Sequence, residues 1–163
     1  TPQYPWYALK VRTRSELQVS TCLSHKCYET FVPTYKELRR YVDRIKKVDA
    51  PLFPGYIFCR LDMQRRLPIL TTPGVEYIVS QERVPQAVPE AEISGIIRAV
   101  QQGKAKPWPY LKTGDRVRVK FGAFAGVEGI LVSEKGTERL VLSVTLLQRS
   151  VAVEMDRLWI QPV

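Results

Sequence analysis

The stretch Gly114–Val132, GDRVRVKFGAFAGVEGILV, leaves the chain little freedom of fold. Val117 and Val119 alternate with Arg116, Arg118 and Lys120, the period of a strand with one face buried and the other in water. Gly122 to Gly126 predict a tight reversal around Phe124, and Gly129 interrupts the next strand where another backbone is expected to come close. The same region resists a helix, because it is rich in β-branched Val and Ile and is broken by Gly122, Gly126, Gly129 and Gly136. Short strands are predicted at 116–121, 128–133, 139–146, 150–155 and 158–160, a set that suits a small barrel.

The N-terminal part alternates strands and helices. In WYALKVR, Tyr7, Leu9 and Val11 share one side while Trp6, Ala8, Lys10 and Arg12 share the other. Ser15 stands where a helix to about Lys26 would be capped, with Val19 and Leu23 one turn apart and turned toward a sheet. Residues 29–41 and 44–49 read as a long hairpin dominated by Lys36, Arg39, Arg40, Arg44, Lys46 and Lys47. Gly55–Leu61 is a central strand with Tyr56, Phe58 and Arg60 on one face and Ile57, Cys59 and Leu61 on the other. A short helix at 64–70, a strand at 75–79 and a helix at 89–102 follow, an α+β pattern. GKAKPWPYLK, residues 103–112, predicts a linker between a domain at 1–102 and a second at 113–163.

The net charge of +9 and pI near 9.6 favour an anionic partner, nucleic acid first, or serve solubility alone. Residues 1–102 carry +5 (15 basic, 10 acidic) and residues 103–163 carry +4 (10 basic, 6 acidic), so the excess is shared and not a tail. No apolar run reaches the ~20 residues that span a bilayer, and no signal-peptide pattern opens the sequence, which predicts a cytoplasmic protein with no membrane partner. Cys22, Cys27 and Cys59 are an odd set, expected as free thiols. CLSHKC invites a zinc site from Cys22, His25 and Cys27, but Cys27 falls at the helix end and Cys59 inside a strand, so no metal is expected. The lone His25 lacks a nucleophile motif, and neither a Walker loop nor a dinucleotide fingerprint occurs, so neither an enzyme nor a cofactor is expected.

The glycine-turn hairpin resembles a KOW motif. Together with the WY-initiated strand, the following helix and Pro51–Arg60, PLFPGYIFCR, it makes nearly the whole chain similar to the NusG family of transcription elongation factors. The tract VPTYKELRRYVDRIKKVDAPLFPGYIFCRLD looks more like the specialised RfaH-like and polysaccharide-operon paralogues than like the housekeeping factor. The resemblance implies an N-terminal sheet-and-helix domain followed by a five-stranded KOW barrel.

It also implies roles. Tyr56 and Phe58 would dock on the clamp helices of the largest RNA polymerase subunit, with Lys10 and Ile78 as neighbours; read from residues alone, they are equally core positions under a loop. Arg65, Arg66, Thr71 and Thr72 lie where specialised paralogues contact non-template DNA, although the His-Thr-Thr-Thr sequence of RfaH is missing and a solvated helix face is the alternative. Arg39, Arg40, Arg44, Lys46 and Lys47 would approach upstream DNA or polymerase, or merely solubilise a hairpin tip. LLQRSVAVEMD carries Leu147 and Gln148 where the family has Phe-Gly before its arginine, here Arg149. Phe124, Leu147 and Arg149 would bind a ribosomal protein or Rho, or else pack and solvate the barrel. The implied function is a non-enzymatic elongation and antitermination factor that suppresses pausing. A housekeeping NusG acting genome-wide and a ribosome-associated KOW protein binding RNA are the rival readings.

Overall fold

The computed structural model describes residues 3–163. In chain order the elements begin with β1 (Trp6–Val11), α1 (Glu16–His25), β2 (Thr30–Phe31), β3 (Thr34–Arg40), β4 (Ile45–Pro51) and β5 (Tyr56–Arg60). Then come α2 (Leu67–Leu70), β6 (Val75–Ile78), β7 (Ser80–Gln81), β8 (Val84–Pro85), β9 (Ala87–Val88), α3 (Glu90–Gln101) and β10 (Lys106–Trp108). The last strands are β11 (Asp115–Val119), β12 (Glu128–Glu134), β13 (Thr137–Val144), β14 (Arg149–Glu154) and β15 (Ile160–Pro162). Among the described residues no helix is long and apolar enough to cross a membrane. Two compact units emerge, Thr1–Pro33 with Phe53–Glu90, and Thr34–Leu52 with Ala91–Val163.

The first unit is built on a five-stranded sheet of order β2-β5-β1-β6, with β9 also paired to β1. Leu9, Val11, Ile57, Cys59, Leu61 and Ile78 form one core with Val19 and Leu23 of α1 and Ile69 of α2. The spacing of Val19 and Leu23 therefore does what it predicts. Ser15 occupies the N-cap of α1 without a side-chain capping bond. The helix ends where Cys27 turns left-handed, φ +71°, and Tyr28 N–H donates to the Leu23 carbonyl at 3.0 Å.

The second unit carries a six-stranded antiparallel sheet of order β10-β14-β13-β12-β11-β15. Strands and not helices occupy the Val-rich region, and a β-carbon on Gly129 would stand 2.6 Å from the Val141 carbonyl oxygen, the close backbone approach its place in a strand implies. Residues 106–108, inside the proline- and lysine-rich stretch expected to link two domains, form the outermost strand β10 against β14. Proline is tolerated there because an outermost strand has a side with no ladder partner. Pro107 in β10 and Pro162 in β15 thus occupy the two terminal strands of the order. The hairpin β3–β4 is a separate two-stranded sheet in which Arg39 faces Lys46 and Lys36 faces Asp49.

Candidate functional site

Leu52, Phe53, Pro54 and Gly55 shape the turn that delivers Tyr56. Tyr56 N–H donates to the Phe53 carbonyl at 3.0 Å, Pro54 sets the first corner residue, and Gly55 at φ +86° supplies the left-handed second one. The strand register then sets Tyr56 directly opposite Lys10 across β1 and β5, and Lys10 opposite Tyr77 across β1 and β6. Residues opposed in register project from the same face. Lys10, Tyr56 and Tyr77 therefore share one end of a sheet face. The Lys10 ammonium lies 5.9 Å from the Tyr56 ring centre, 3.4 Å from Glu76 Oε2, and donates to the Val11 carbonyl at 3.0 Å. Tyr77 is 51% exposed, while Tyr56 is half-buried.

Along the same face toward Trp6 the surface closes. Phe58 is fully buried, stacked on Phe31 at 6.1 Å between ring centres and edge-on to Phe53 at 6.0 Å. Trp6 and Ala8 are buried as well. The Arg60 guanidinium lies 4.5 Å from the Trp6 ring centre, donates to the Tyr4 carbonyl at 2.7 Å and pairs with both carboxylate oxygens of Glu90. Arg60 Nε also forms an ion pair with Glu29 Oε2 at 3.0 Å. The Glu90 hydrogen bond, ahead of the neighbouring charges, holds this guanidinium still more firmly protonated than an ordinary arginine.

Two residues expected beside Tyr56 thus lie elsewhere. Phe58 is an aromatic core residue and not a free docking side chain. Ile78 is opposite Leu9 and packs in the helix-side core, on the reverse face of the sheet. The side chain that sequence reading missed is Tyr77, one position earlier. A register shift between Lys10 and Val11 separates the two possibilities, and register is invisible in a strand read alone.

The basic loop divides in the same way. Arg65 and Arg66 are exposed, in a short 3-10 turn and just after it. Thr71 is exposed, but its hydroxyl donates back to the Leu67 carbonyl at 3.0 Å. Thr72 is 2% exposed, donates to the Pro68 carbonyl at 2.9 Å and accepts from Lys26 Nζ at 2.9 Å. Its hydroxyl is committed to the fold and is not offered to a nucleic acid.

On the hairpin, Arg39, Arg40, Arg44, Lys46 and Lys47 are all exposed. Glu37 pairs with Arg39 at 3.4 Å, which leaves the opposed cations Arg39 and Lys46 served by one carboxylate.

In the second unit Phe124 is buried in the 3-10 turn Gly122–Phe124, a packing residue and not a surface one. Leu147 is half-buried at the end of the 3-10 turn Thr145–Leu147, and Arg149 is exposed at the start of β14. Gln148 between them is left-handed, φ +52° and ψ +48°. Thr145 is tied by its backbone N–H, at 3.2 Å, and its hydroxyl, at 2.9 Å, to the Glu92 carboxylate.

His25, Cys22 and Cys27 are exposed and Cys59 is buried; among the described residues no three His, Cys, Asp or Glu side chains gather as metal ligands would. Burial pushes the Cys59 thiol up to about 12.

The family model described as "Transcription termination factor nusG" matches residues 4–97. The "Transcription termination/antitermination protein NusG" of Campylobacter jejuni is 28% identical over 166 residues, which cover 93% of each chain. Its counterpart in Escherichia coli K12 is also 28% identical, across 95% of this chain and 94% of its own. That of Buchnera aphidicola is 30% identical over 78% of this chain and 74% of its own. A solved structure of Thermotoga maritima NusG superposes with a TM-score of 0.57 at 18% identity, covering 98% of this chain and 97% of that one, a likeness of fold.

Proposed function

The chain belongs to the NusG family, and on that premise we propose that it is an accessory factor that rides on elongating RNA polymerase and performs no chemistry of its own. Its docking surface is the open end of the first sheet, where Lys10, Tyr56 and Tyr77 stand together, and the occupant is the clamp-helix pair of the largest polymerase subunit. The observation that carries this reading is that face itself: two tyrosines and a lysine grouped at the one end of an otherwise buried sheet face. Tyrosine is among the residues enriched where binding energy concentrates in an interface.

Binding of this kind acts by differential affinity. A factor that holds the closed clamp more tightly than the swivelled, paused one by about 1.4 kcal/mol shifts their ratio tenfold. Arg65, Arg66 and the hairpin cations Arg39, Arg40, Arg44, Lys46 and Lys47 supply phosphate contacts to non-template or upstream DNA. Leu147 and Arg149 form the partner surface of the second unit, for a ribosomal protein or Rho. The tract from Val32 to Asp62 supports an operon-specific paralogue of the RfaH-like or polysaccharide-operon type.

The test is transcription of a pause-containing template by purified polymerase with and without the chain, alongside direct binding to an isolated clamp-helix fragment. Shortened pauses and saturable binding are expected. Unchanged pausing with no binding overturns the reading.

A further inference from the structure

Arg116 and Arg118 on the outer face of β11, with Lys120 just past its end, make a row of cations that the function above leaves unused. All three are exposed, and alternate residues of a strand stand about 6.6–6.8 Å apart. One carboxylate serves the row: Glu128 pairs with Arg118 and lies 4.0 Å from Arg116. Lys120 has no ion pair among the described residues.

The row ends on exposed aromatic surface. The Lys120 ammonium lies 5.6 Å from the Phe121 ring centre. Lys120 N–H donates to the Trp159 carbonyl at 2.6 Å, and the Trp159 ring covers Gly122, where a β-carbon would stand 3.7 Å from it. Phe121 is 58% exposed, Trp159 44% and Leu158 78%. Two exposed aromatic rings beside three cations that share one carboxylate combine the two ingredients of sequence-tolerant single-strand binding, a stacking platform and a phosphate track.

We propose that Phe121 and Trp159, with Lys120, Arg118 and Arg116, form a binding site for single-stranded RNA. Bases stack on the two rings and the phosphates follow the cations along β11. The choice of RNA rests on the reading of the chain as a factor carried by transcribing polymerase, whose single-stranded product is RNA. In that reading DNA is met by Arg65, Arg66 and the cations of the β3–β4 hairpin, none of which lies on β11.

The experiment uses the full chain without polymerase and a fluorescein-labelled oligouridine of about 15 nucleotides, followed by anisotropy over a salt series. Binding is expected with a log–log salt slope near −2, the value for about three phosphates on a single strand. Phe121→Ala and Trp159→Ala should each weaken it about tenfold, with melting temperatures close to the parent's. Lys120→Glu should weaken it, and it keeps the test alive should an aromatic variant misfold. Absence of binding at low salt overturns the site, and so does binding that all three variants retain. A deoxyoligonucleotide bound as tightly as the RNA overturns the commitment to RNA, and an acidic protein captured through these aromatics in place of RNA does the same. Polymerase binding is measured in parallel. A parent chain that binds RNA through these residues but binds no polymerase leaves the site standing and sinks the elongation-factor reading.

Discussion

The ammonium of Lys10 stands 5.9 Å from the ring centre of Tyr56, its directly opposed partner across β1 and β5. The pair sits where the sheet face opens, and two residues further along β5 the same face is closed over Phe58. That short distance separates residues whose loss should register in binding from residues whose loss should register in folding.

Tyr56→Ala and Tyr77→Ala are expected to weaken clamp-helix binding by about 2 kcal/mol or more each, with little change in denaturant midpoint. Phe58→Ala should cost about 3 to 5 kcal/mol of stability, because it empties a fully buried site between Phe31 and Phe53. Urea titration beside a binding isotherm reads both. A Phe58→Ala chain as stable as the parent would return Phe58 to the docking surface.

Arg60 links Trp6, Glu90 and the Tyr4 carbonyl. Arg60→Ala is expected to destabilise by about 1 to 3 kcal/mol through the lost stacking and charge-assisted bonds. Arg60→Lys should recover only part of this, since an ammonium cannot grip Glu90 with two nitrogens. Equal stability of the Lys variant and the parent would show that charge alone matters here.

Cys59 makes a prediction in pH. Its thiol is pushed up by burial to about 12 from an ordinary 9.0, so the folded chain holds this proton more tightly than the unfolded one. Its contribution to stability is complete below pH 9.0 and is lost as pH rises from there toward about 12. A thiol reagent at neutral pH should modify Cys22 and Cys27 and spare Cys59 until the chain unfolds. Alkaline melts of Cys59→Ala should fall less steeply over that window than those of the parent, and parallel curves would refute the assignment.

Thr72→Val should cost about 1 to 2 kcal/mol by removing the buried hydroxyl's bonds to Lys26 Nζ and to the Pro68 carbonyl, yet leave DNA affinity unchanged. Arg65→Ala with Arg66→Ala should do the reverse, weakening DNA binding and flattening its salt dependence. Filter binding across a salt series distinguishes the two. A Thr72→Val chain that folds normally and loses DNA would restore the hydroxyl to the contact surface.

Gln148 holds a left-handed conformation that favours glycine. Gln148→Gly relieves strain of about 1–2 kcal/mol and gives back part of that as unfolded-chain entropy, so a net gain of about 0.5–1 kcal/mol is expected. Differential scanning calorimetry reads it directly, and a loss of stability would mean that the Gln148 side chain supports the turn.

Much of the fold is legible because its patterns are local. WYALKV alternates over its full length, Val19 and Leu23 lie one turn apart, and the glycines between Phe121 and Glu128 can hardly do other than turn. Gln148 was legible too, as the residue standing where the family has glycine, although its left-handed backbone was not. What stayed hidden depends on distant neighbours. Whether Phe58 meets a partner or Phe31 and Phe53 is decided by where those rings fold. The choice of Tyr77 over Ile78 is made by a register shift between β1 and β6, where Glu76 is passed over. Pro107 argues against a strand until the outermost place in a sheet is found for it, and Glu82 and Arg83 turn the β7–β8 hairpin at positive φ with none of the glycine that announces such turns.

The two prolines at the flanks of the six-stranded sheet have a consequence for the protein in a crowded solution. An open strand edge is a template on which another chain can add hydrogen bonds, the first step of edge-to-edge aggregation. Pro107 and Pro162 each withhold a backbone donor from the strand that terminates the order. Lys106 adds charge beside the first of them. The Val-rich strands that make this unit easy to recognise are also the segments most prone to stack into fibrils, and the flanking prolines act as gatekeepers that stop the sheet from growing.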